Sequence, residues 1–213
     1  MQNNYDRAAW FYDSLSRLVF GKALVYIQQK ILAHIPANSK VLIVGGGTGW
    51  ILNEIAALHP TGLQITYVEI SENMLHLAQK DYHGRNPVSF VQSAVEDFPI
   101  TQPYDVIFTA FLFDNFAQDR IDTCLQKLDA GLRPGGLWLF ADFHLDVAKP
   151  KFWHKYLLQS MLFFFRMLCK VEATRLIPME PAFRSYGYTI ATQYETYGRF
   201  IKGIVYRKPE GDP

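Results

Sequence analysis

Residues 41–50 read VLIVGGGTGW, a short apolar run that passes directly into a glycine-rich turn. The run over 41–44 is rich in β-branched side chains and ends at a glycine, which is typical of a buried strand. Residues 49–58 have the spacing of a helix. Because glycine lacks a Cβ and adopts positive φ, a ligand can approach the backbone of such a turn closely. The stretch therefore predicts a strand, a ligand-holding turn and a helix in succession.

The glycine spacing narrows the choice of ligand. A dinucleotide-binding turn has the pattern G-x-G-x-x-G, and its small sixth residue lets helix and strand pack closely. Gly45 and Gly47 fit the first two glycines, but the sixth position is Trp50. The pattern is instead G-x-G-x-G through Gly49, and no G-x-x-x-x-G-K-[ST] sequence of a P-loop occurs. A nicotinamide-dependent oxidoreductase therefore stays an alternative that Trp50 disfavours.

Strands and helices alternate downstream of this turn. The patterns predict strands over 64–69, 88–92, 105–111 and 137–141, helices over 71–82 and 118–130, and a turn at 132–136. Such alternation is typical of right-handed βαβ units and a parallel sheet. The last two segments, 188–195 and 200–207, alternate in polarity around a Tyr-Gly-Arg turn and predict a hairpin. The predicted fold class is therefore α/β, with a mostly parallel sheet that ends in an antiparallel pair.

Glu69 closes the second predicted strand, about 20 residues after the glycine turn. In a parallel sheet this position lies at the carboxyl edge, beside the turn. A carboxylate there can accept two hydrogen bonds from a ribose diol. The pair of features indicates a ligand that contains a nucleoside.

Helical spacing also precedes the first strand. Apolar residues recur at helical intervals through the first 35 residues, with a break predicted at Gly21 and an end at Pro36. We predict one domain over 1–213, with residues 1–36 as an N-terminal helical cap.

A second helical segment is predicted as an insertion at 150–186, before the terminal hairpin. Residues 150–170 are apolar and aromatic, but Lys155 and Arg166 interrupt them, so they do not span a bilayer. The insertion can serve as a core or dimer-interface helix, as an aromatic lid over an apolar ligand, or as a peripheral membrane contact.

Charge and composition disfavour several classes of protein. The chain has 21 lysines and arginines against 20 aspartates and glutamates, so no broad basic field favours nucleic acid. Cys124 and Cys169 form no CxxC, and the histidines show no metal-ligand spacing, so we expect no metal site. No secretory signal or spanning apolar stretch is visible. These features predict a cytoplasmic protein.

Several stretches, in order, resemble the class I S-adenosylmethionine-dependent methyltransferases. VLIVGGGTGW is similar to their first motif, VEISENML to their second, and YDVIFTAFLFDNF and LRPGGLWLFADF to their fourth and fifth strands. The early stretch YDRAAWFYD is similar to the opening of the ubiquinone/menaquinone-biosynthesis and related small-molecule methyltransferases. The resemblance implies a Rossmann-like seven-stranded sheet in the order 3-2-1-4-5-7-6, with the last strand antiparallel and helices on both faces.

The resemblance also implies S-adenosylmethionine as the cofactor, with residues for each part of it. The glycines would lie against the methionine part, and an acid would hold the ribose. The sulfonium would face the end of the fourth strand, and two N-terminal tyrosines would close the site. The implied residues are Gly45, Gly46, Gly47 and Gly49 for methionine, Glu69 for ribose, Ile70, Met74, Ser93, Ala94 and Val95 for adenine, Thr109, Ala110 and Phe111 for the sulfonium, and Tyr5 and Tyr12 for closure.

Two positions depart from the family pattern. Ile43 stands where the family usually has Asp or Glu near the amino-acid end of the cofactor, and Ser93 where it often has Asp for the adenine amino group. Glu96 and Asp97 are candidates to replace the second of these anchors. A catalytically inactive methyltransferase-fold binding protein therefore stays an alternative function.

Methyl transfer from a sulfonium needs in-line positioning, a dry site and, for some acceptors, a base. Asp114, Asp142 and His144 follow the fourth and fifth strands, and Asp114 and His144 are the candidate catalytic residues. We expect a small, apolar or aromatic acceptor. The charge balance and the lack of an N/D-P-P-[YFW] motif after the fourth strand disfavour nucleic acid. The methylated atom and the choice between monomer and homodimer stay open.

Overall fold

The computed structural model describes residues 20–144 and 175–211. Their strands are β1 Lys40–Val44, β2 Gln64–Glu69, β3 Val88–Gln92, β4 Tyr104–Ala110, β5 Leu132–Phe143, β6 Thr189–Thr196 and β7 Ile201–Arg207. They form one seven-stranded sheet in the order β3-β2-β1-β4-β5-β7-β6. The first five strands pair in parallel, and β7 runs antiparallel to β5 and β6. The predicted fold class and strand order are confirmed.

Helices cover both faces of the sheet. One face carries α1 Ala23–Leu32, α2 Trp50–Leu58 and α3 Glu72–Asp81, and the other carries α4 Gln118–Gly131 and α5 Glu180–Ser185. Each group of helices buries its apolar side chains in a separate core on its own face. The sheet is therefore the middle layer of three, and its ends are the places left open for a ligand.

Strand β1 shows why the opening apolar run has no polar residue. Val41 and Ile43 pack in the core beneath α1 to α3, while Leu42 and Val44 pack in the core beneath α4. Successive side chains of a strand point to opposite faces, and both faces are covered here, so each position is apolar. The strand ends at Val44 and delivers the glycine turn to the carboxyl edge of the sheet.

Local signals fix the starts of two helices. Ser71 caps α3, and its Oγ accepts a hydrogen bond from the N–H of Met74 at 3.2 Å. Gly21 has φ of 57° just before α1 and marks the predicted break. α1 itself ends at Leu32, a few residues before Pro36.

Strand β5 begins earlier and ends later than the sequence pattern indicates. Leu132 pairs with Tyr104 and Leu137 with Val106, so the predicted turn between them is a bulge inside the strand. Gly135 supplies a φ of 68° for this bulge. Pairing with β7 then continues to the end of β5. The turn residues were correctly located, but the pairing on either side of them depends on the neighbouring strands.

The predicted cap and insertion are only partly described. Residues 20–36 of the cap contain α1, and residues 175–186 of the insertion contain α5. The aromatic stretch at 150–170 lies outside the described residues, so its possible roles stay predictions. Among the helices that the structure describes, none combines the length and the apolarity needed to cross a membrane.

Candidate active site

A cavity opens at the carboxyl ends of β1, β2 and β4. From β1, the chain adds β2 and β3 on one side of the sheet and β4 and β5 on the other, so the strand order reverses at β1. Open α/β sheets bind ligands at such a switch point. The glycine turn, the ends of β2 and β4 and the residues after β3 form most of the wall, and α1 and the start of α4 close its sides.

The glycine turn presents bare backbone to this cavity. Gly47 has φ of 65°, and a Cβ added there would meet no atom of residues 20–144 and 175–211 within 4 Å, its chain neighbours apart. Gly45 has φ of 68°, and its N–H donates to the carbonyl of Val68 at 2.9 Å, which ties the turn to β2. A left-handed φ is readily adopted only by glycine. The turn therefore leaves open space next to main-chain atoms.

Gly46 and Gly49 are required for packing instead. A Cβ on Gly46 would lie 2.4 Å from the ring of Tyr67, whose hydroxyl donates to the carbonyl of Gly47 at 2.9 Å. A Cβ on Gly49 would lie 2.6 Å from Cα of Ala78 in α3. Gly49 lies outside the cavity wall, whereas the other three glycines lie in it. Gly49 thus brings α2 and α3 together, and its contact with the ligand stays a prediction.

Glu69 faces the glycine turn from the end of β2. Its side chain is only 5% exposed, and it lies in the cavity wall. One carboxylate oxygen accepts from the N–H of Gly47 at 3.0 Å and the other from the N–H of Ser71 at 2.9 Å. Hydrogen bonds to a charged acceptor are stronger than neutral ones. The carboxylate is thus held in a fixed position against the turn, and each of its oxygens can accept more than one hydrogen bond.

The predicted adenine residues lie together on one side of the cavity. Ile70, Met74, Ser93, Ala94 and Val95 all contribute to its wall. The hydroxyl of Ser93 donates to the carbonyl of Ala94 at 2.8 Å. This side of the cavity is apolar apart from that hydroxyl and main-chain atoms.

Neither Glu96 nor Asp97 is among the residues that line the cavity. Glu96 forms an ion pair with Arg120 of α4, with 2.8 Å between Oε1 and Nε, and Asp97 is exposed. Arg120, the partner of Glu96, lines the cavity instead, and its guanidinium lies 4.1 Å from the ring centre of Phe116. Glu96 turns toward α4, and the replacement of the missing anchor by one of these two carboxylates stays a prediction.

The end of β4 brings two of the three predicted sulfonium residues to the cavity. Ala110 and Phe111 line it, but Thr109 does not. The Thr109 side chain is 1% exposed on the opposite face, where its Oγ1 accepts from the indole N–H of Trp138 at 2.9 Å. Alternation along the strand places Thr109 and Ala110 on opposite faces. The contact of Thr109 with the sulfonium stays a prediction.

Two carboxyl groups lie behind this edge, at the junction of β4 and β5. Asp142 is 3% exposed, and one of its oxygens accepts from the N–H of Phe143 at 2.8 Å. Burial, with the nearby charge of Asp114, raises the pKa of Asp142 well above its ordinary value. Burial also raises the pKa of Asp114 to about 7. Neither carboxyl group lines the cavity, although Asn115, which donates to Asp114 at 2.7 Å, does.

Three further predicted residues lie outside the cavity wall or the described chain. The N–H of His144 donates to the carbonyl of Phe200 at 2.7 Å, next to the end of β5, and His144 does not line the cavity. Tyr5 and Tyr12 belong to the part of the chain that is not described. Their roles stay predictions.

Sequence reasoning missed four polar residues of the wall: Gln28, Thr48, Asn115 and Arg120. Gln28 was detectable as a polar residue between Ile27 and Ile31 on an otherwise apolar helix face. Arg120 lies 27 residues after Ser93, and only the packing of α4 brings it to the cavity.

Comparison with known proteins indicates a family for this chain. A family model described as a methyltransferase domain matches residues 41–136. The chain is 28% identical over 193 residues to the ubiquinone/menaquinone biosynthesis C-methyltransferase UbiE of Geotalea daltonii, covering 84% of this chain and 78% of that protein. It is 26% identical over 153 residues to the malonyl-[acyl-carrier protein] O-methyltransferase of Halalkalibacterium halodurans, covering 68% and 55%. These matches indicate a class I S-adenosylmethionine-dependent methyltransferase.

The fold of this methyltransferase also matches solved structures. A complex that contains the Haloferax volcanii Trm112 methyltransferase activator and a methyltransferase includes a chain that superposes with a TM-score of 0.73 at 18% identity, covering 99% of this chain and 100% of that one. The present chain spans only about half the length of the Halalkalibacterium relative. The comparisons therefore indicate the family and support the fold, but they do not identify the methyl acceptor.

The described residues fit S-adenosylmethionine, the cofactor of this family. Among the described residues, no atom beyond its chain neighbours lies within 4 Å of where a Cβ of Gly47 would be, and the buried carboxylate of Glu69 borders the same cavity. Apolar side chains of Ile70 and Met74 lie on the flank of the cavity beyond Glu69. Bare backbone, a hydrogen-bond acceptor and an apolar slot are the features that a thioether, a ribose and an adenine require.

Proposed function

We propose that this methyltransferase transfers the methyl group of S-adenosylmethionine to a small, predominantly apolar or aromatic acceptor. The observation that carries the proposal is the presence in one cavity of the open backbone at Gly47 and the buried carboxylate of Glu69. A carboxylate that is fixed by two backbone N–H groups is preorganised to accept the hydroxyls of a ribose.

The cofactor supplies a methyl group on a sulfonium, which is already activated for transfer. The protein has to bind, orient and exclude water. In this proposal Glu69 holds the ribose, and the main chain at Gly45 and Gly47 lies along the methionine part. Ala110 and Phe111 border the space where transfer occurs. Phe111 has φ of 52°, a conformation that non-glycine residues seldom adopt and that is frequent at functional sites.

An apolar acceptor is supported by the side chains around that space. Leu24, Phe108, Phe111, Leu112 and Phe116 lie in the wall of the cavity. Of the two relatives described above, one is named for C-methylation in quinone biosynthesis and the other for O-methylation of a malonyl-acyl carrier protein. The aromatic wall favours a ring-containing acceptor of the first kind.

Asp114 is the candidate base for acceptors that lose a proton. A pKa of about 7 lets a carboxyl group exchange a proton near neutral pH. Asp114 lies in the same short turn as Asn115 of the cavity wall. His144, at the end of β5, is the second candidate.

Calorimetry with S-adenosylhomocysteine tests the proposal. We expect the wild type to bind it and Glu69→Ala to bind at least about 100-fold more weakly, because two hydrogen bonds to a charged acceptor are lost. Glu69→Gln, which keeps the size of the side chain, should also weaken binding. Glu72→Ala is the matched control, since Glu72 is an exposed acid three residues further along. Absence of binding by the folded wild type would contradict the proposal.

A binding protein without catalytic activity is the second candidate, and Ile43 is the observation that favours it. Its side chain is apolar and fully buried in the core, so the chain has no acid at position 43 to contact the cofactor. Formation of S-adenosylhomocysteine from S-adenosylmethionine with a panel of phenols, quinols and amines separates the two candidates. Cofactor binding without turnover on any acceptor of the panel would favour the inactive protein.

A further inference from the structure

Gln28 is a buried polar residue in the wall of the cavity. It lies on α1, is 7% exposed, and shares a helix face with Leu24 and Val25, which also line the cavity. Lys, Arg, Asn and Gln side chains are mostly exposed in proteins, and a buried amide needs partners for its polar atoms. The position of Gln28 therefore calls for a partner on the cavity side.

The hydrogen bonds within the protein fix which way the amide points. Nε2 of Gln28 donates to the carbonyl of Leu24 at 3.1 Å. A carbonyl can only accept, so the nitrogen and not the oxygen of the amide faces it. In the described part of the chain, Oε1 of Gln28 accepts no hydrogen bond. The side chain thus offers an acceptor that its own helix does not use.

The sheet order shows which end of the ligand Gln28 faces. α1 packs on β5, β6 and β7, whereas Glu69 and the adenine residues belong to β2, α3 and the segment after β3. These two groups lie on opposite sides of β1 in the sheet. When the ribose of an S-adenosyl ligand lies at Glu69 and the adenine lies beyond Glu69, the methionine part extends past the glycine turn toward α1.

The amino-acid end of the cofactor carries an ammonium group, and the usual acid for it is absent. Ile43 is buried in the core, and Glu69 is the single carboxylate among the described residues of the wall. An amide oxygen is a strong acceptor for an ammonium group and does not attract a carboxylate.

We propose that Gln28 is a cofactor-binding residue whose Oε1 accepts a hydrogen bond from the α-ammonium of the methionine part, in place of the acid that Ile43 replaces. The inference rests on the proposed function, because it requires an S-adenosyl ligand in this cavity. It assigns to α1 a role in recognising the charged end of the cofactor.

The test compares two ligands that differ only at the ammonium. They are S-adenosylhomocysteine and 5′-S-(3-carboxypropyl)-5′-thioadenosine, in which hydrogen replaces that group. Binding is measured by calorimetry for the wild type, for Gln28→Met and for Gln29→Met. Gln29 is a matched control, because it is the next residue of the same helix, is exposed, and donates to Glu54 at 2.9 Å.

We expect Gln28→Met to bind S-adenosylhomocysteine about 10- to 100-fold more weakly, as for the loss of a hydrogen bond to a charged group. The analogue without the ammonium should bind Gln28→Met and the wild type within about twofold of each other, which isolates the pairwise interaction. Gln29→Met should resemble the wild type with both ligands. Circular dichroism melting shows whether each variant is folded.

The outcomes separate this inference from the proposed function. Binding of S-adenosylhomocysteine by the wild type with no loss in Gln28→Met would overturn the inference and leave the function standing. An equal loss for both ligands would also overturn it, because the effect would then be a general change in the helix. If the folded wild type bound neither ligand, the proposed function would fall and the inference with it.

Discussion

Gly47 and Gly49 both have a left-handed φ, of 65° and 83°, but the space around them differs. In the part of the chain that the structure describes, a Cβ on Gly47 points into open space, whereas one on Gly49 meets the backbone of α3. Replacement by alanine therefore separates ligand binding from stability. We expect Gly47→Ala to cost about 1–2 kcal/mol of stability and to weaken S-adenosylhomocysteine about 10-fold or more, because the methyl group occupies the space of the ligand.

Gly49→Ala should instead lower the free energy of unfolding by about 2–4 kcal/mol, from backbone strain and overpacking together. Urea unfolding and calorimetry measure the two quantities. Gly211→Ala is the control, since its Cβ would make only an ordinary contact at 3.5 Å with Pro134. Equal losses of stability in Gly47→Ala and Gly49→Ala would show that the two glycines do not have different roles.

Individual residues of the site differ in how far the sequence predicts their positions. Gly45, Gly47 and Glu69 were predicted because a turn with bare backbone and an acid at the next strand end are local features. Thr109 is not among the described residues of the cavity wall, since three consecutive residues of a strand cannot all face one cavity. Phe111 does face it next to Ala110, because its positive φ lies beyond the end of β4 and breaks the alternation.

At the scale of elements, the ends of β4 and β5 place Asp114 and Asp142 side by side. Burial raises the pKa of Asp114 from its ordinary value near 3.8 to about 7. Between these pH values the folded state keeps a proton that the unfolded state has lost. The stability due to this group is therefore full below pH 3.8 and is lost as the pH rises through about 7.

Asp114→Asn should remove this loss. We expect the free energy of unfolding of the wild type, measured with urea from pH 4.5 to 7.5, to fall relative to that of Asp114→Asn as the pH rises. The asparagine keeps an oxygen for the hydrogen bond from Asn115. Asp97→Asn, at an exposed position, should run parallel to the wild type. Parallel curves for Asp114→Asn and the wild type would contradict a raised pKa.

Elements were predictable where their signals are local, and contacts between distant elements were not. The strands of the βαβ units and the cap at Ser71 follow from nearby residues. The position of α1 depends on β7, where Gly203 would place a Cβ 2.9 Å from Cγ1 of Ile27 and so lets the helix lie directly on the sheet. That contact joins residues 176 positions apart in the chain, and it is what brings Gln28 to the cavity.

At the scale of the whole molecule, the three-layer arrangement is shared by methyltransferases and by dinucleotide-binding enzymes, so the fold alone does not choose the ligand. The choice between S-adenosylmethionine and a dinucleotide depends on the residues at the start of α2. Trp50 lies in the cavity wall at the position where a dinucleotide turn has a small residue. A pyrophosphate has to approach the N-terminus of such a helix closely. The indole of Trp50 is a bulky group at this terminus and disfavours that approach.

A thermal shift experiment on the intact chain tests this choice. A ligand that binds only the folded state stabilises it by about 2.7 kcal/mol at 100 times its Kd, and for a chain of this size that raises Tm by roughly 5–10 °C. We expect such a rise with S-adenosylhomocysteine and none with NAD or NADP at the same concentration. The nucleotides share adenosine with the first ligand, so a rise with all three would mean that only adenosine is recognised. A rise with NAD alone would show that Trp50 moves aside for a pyrophosphate and that the spacing of the glycines does not select the ligand.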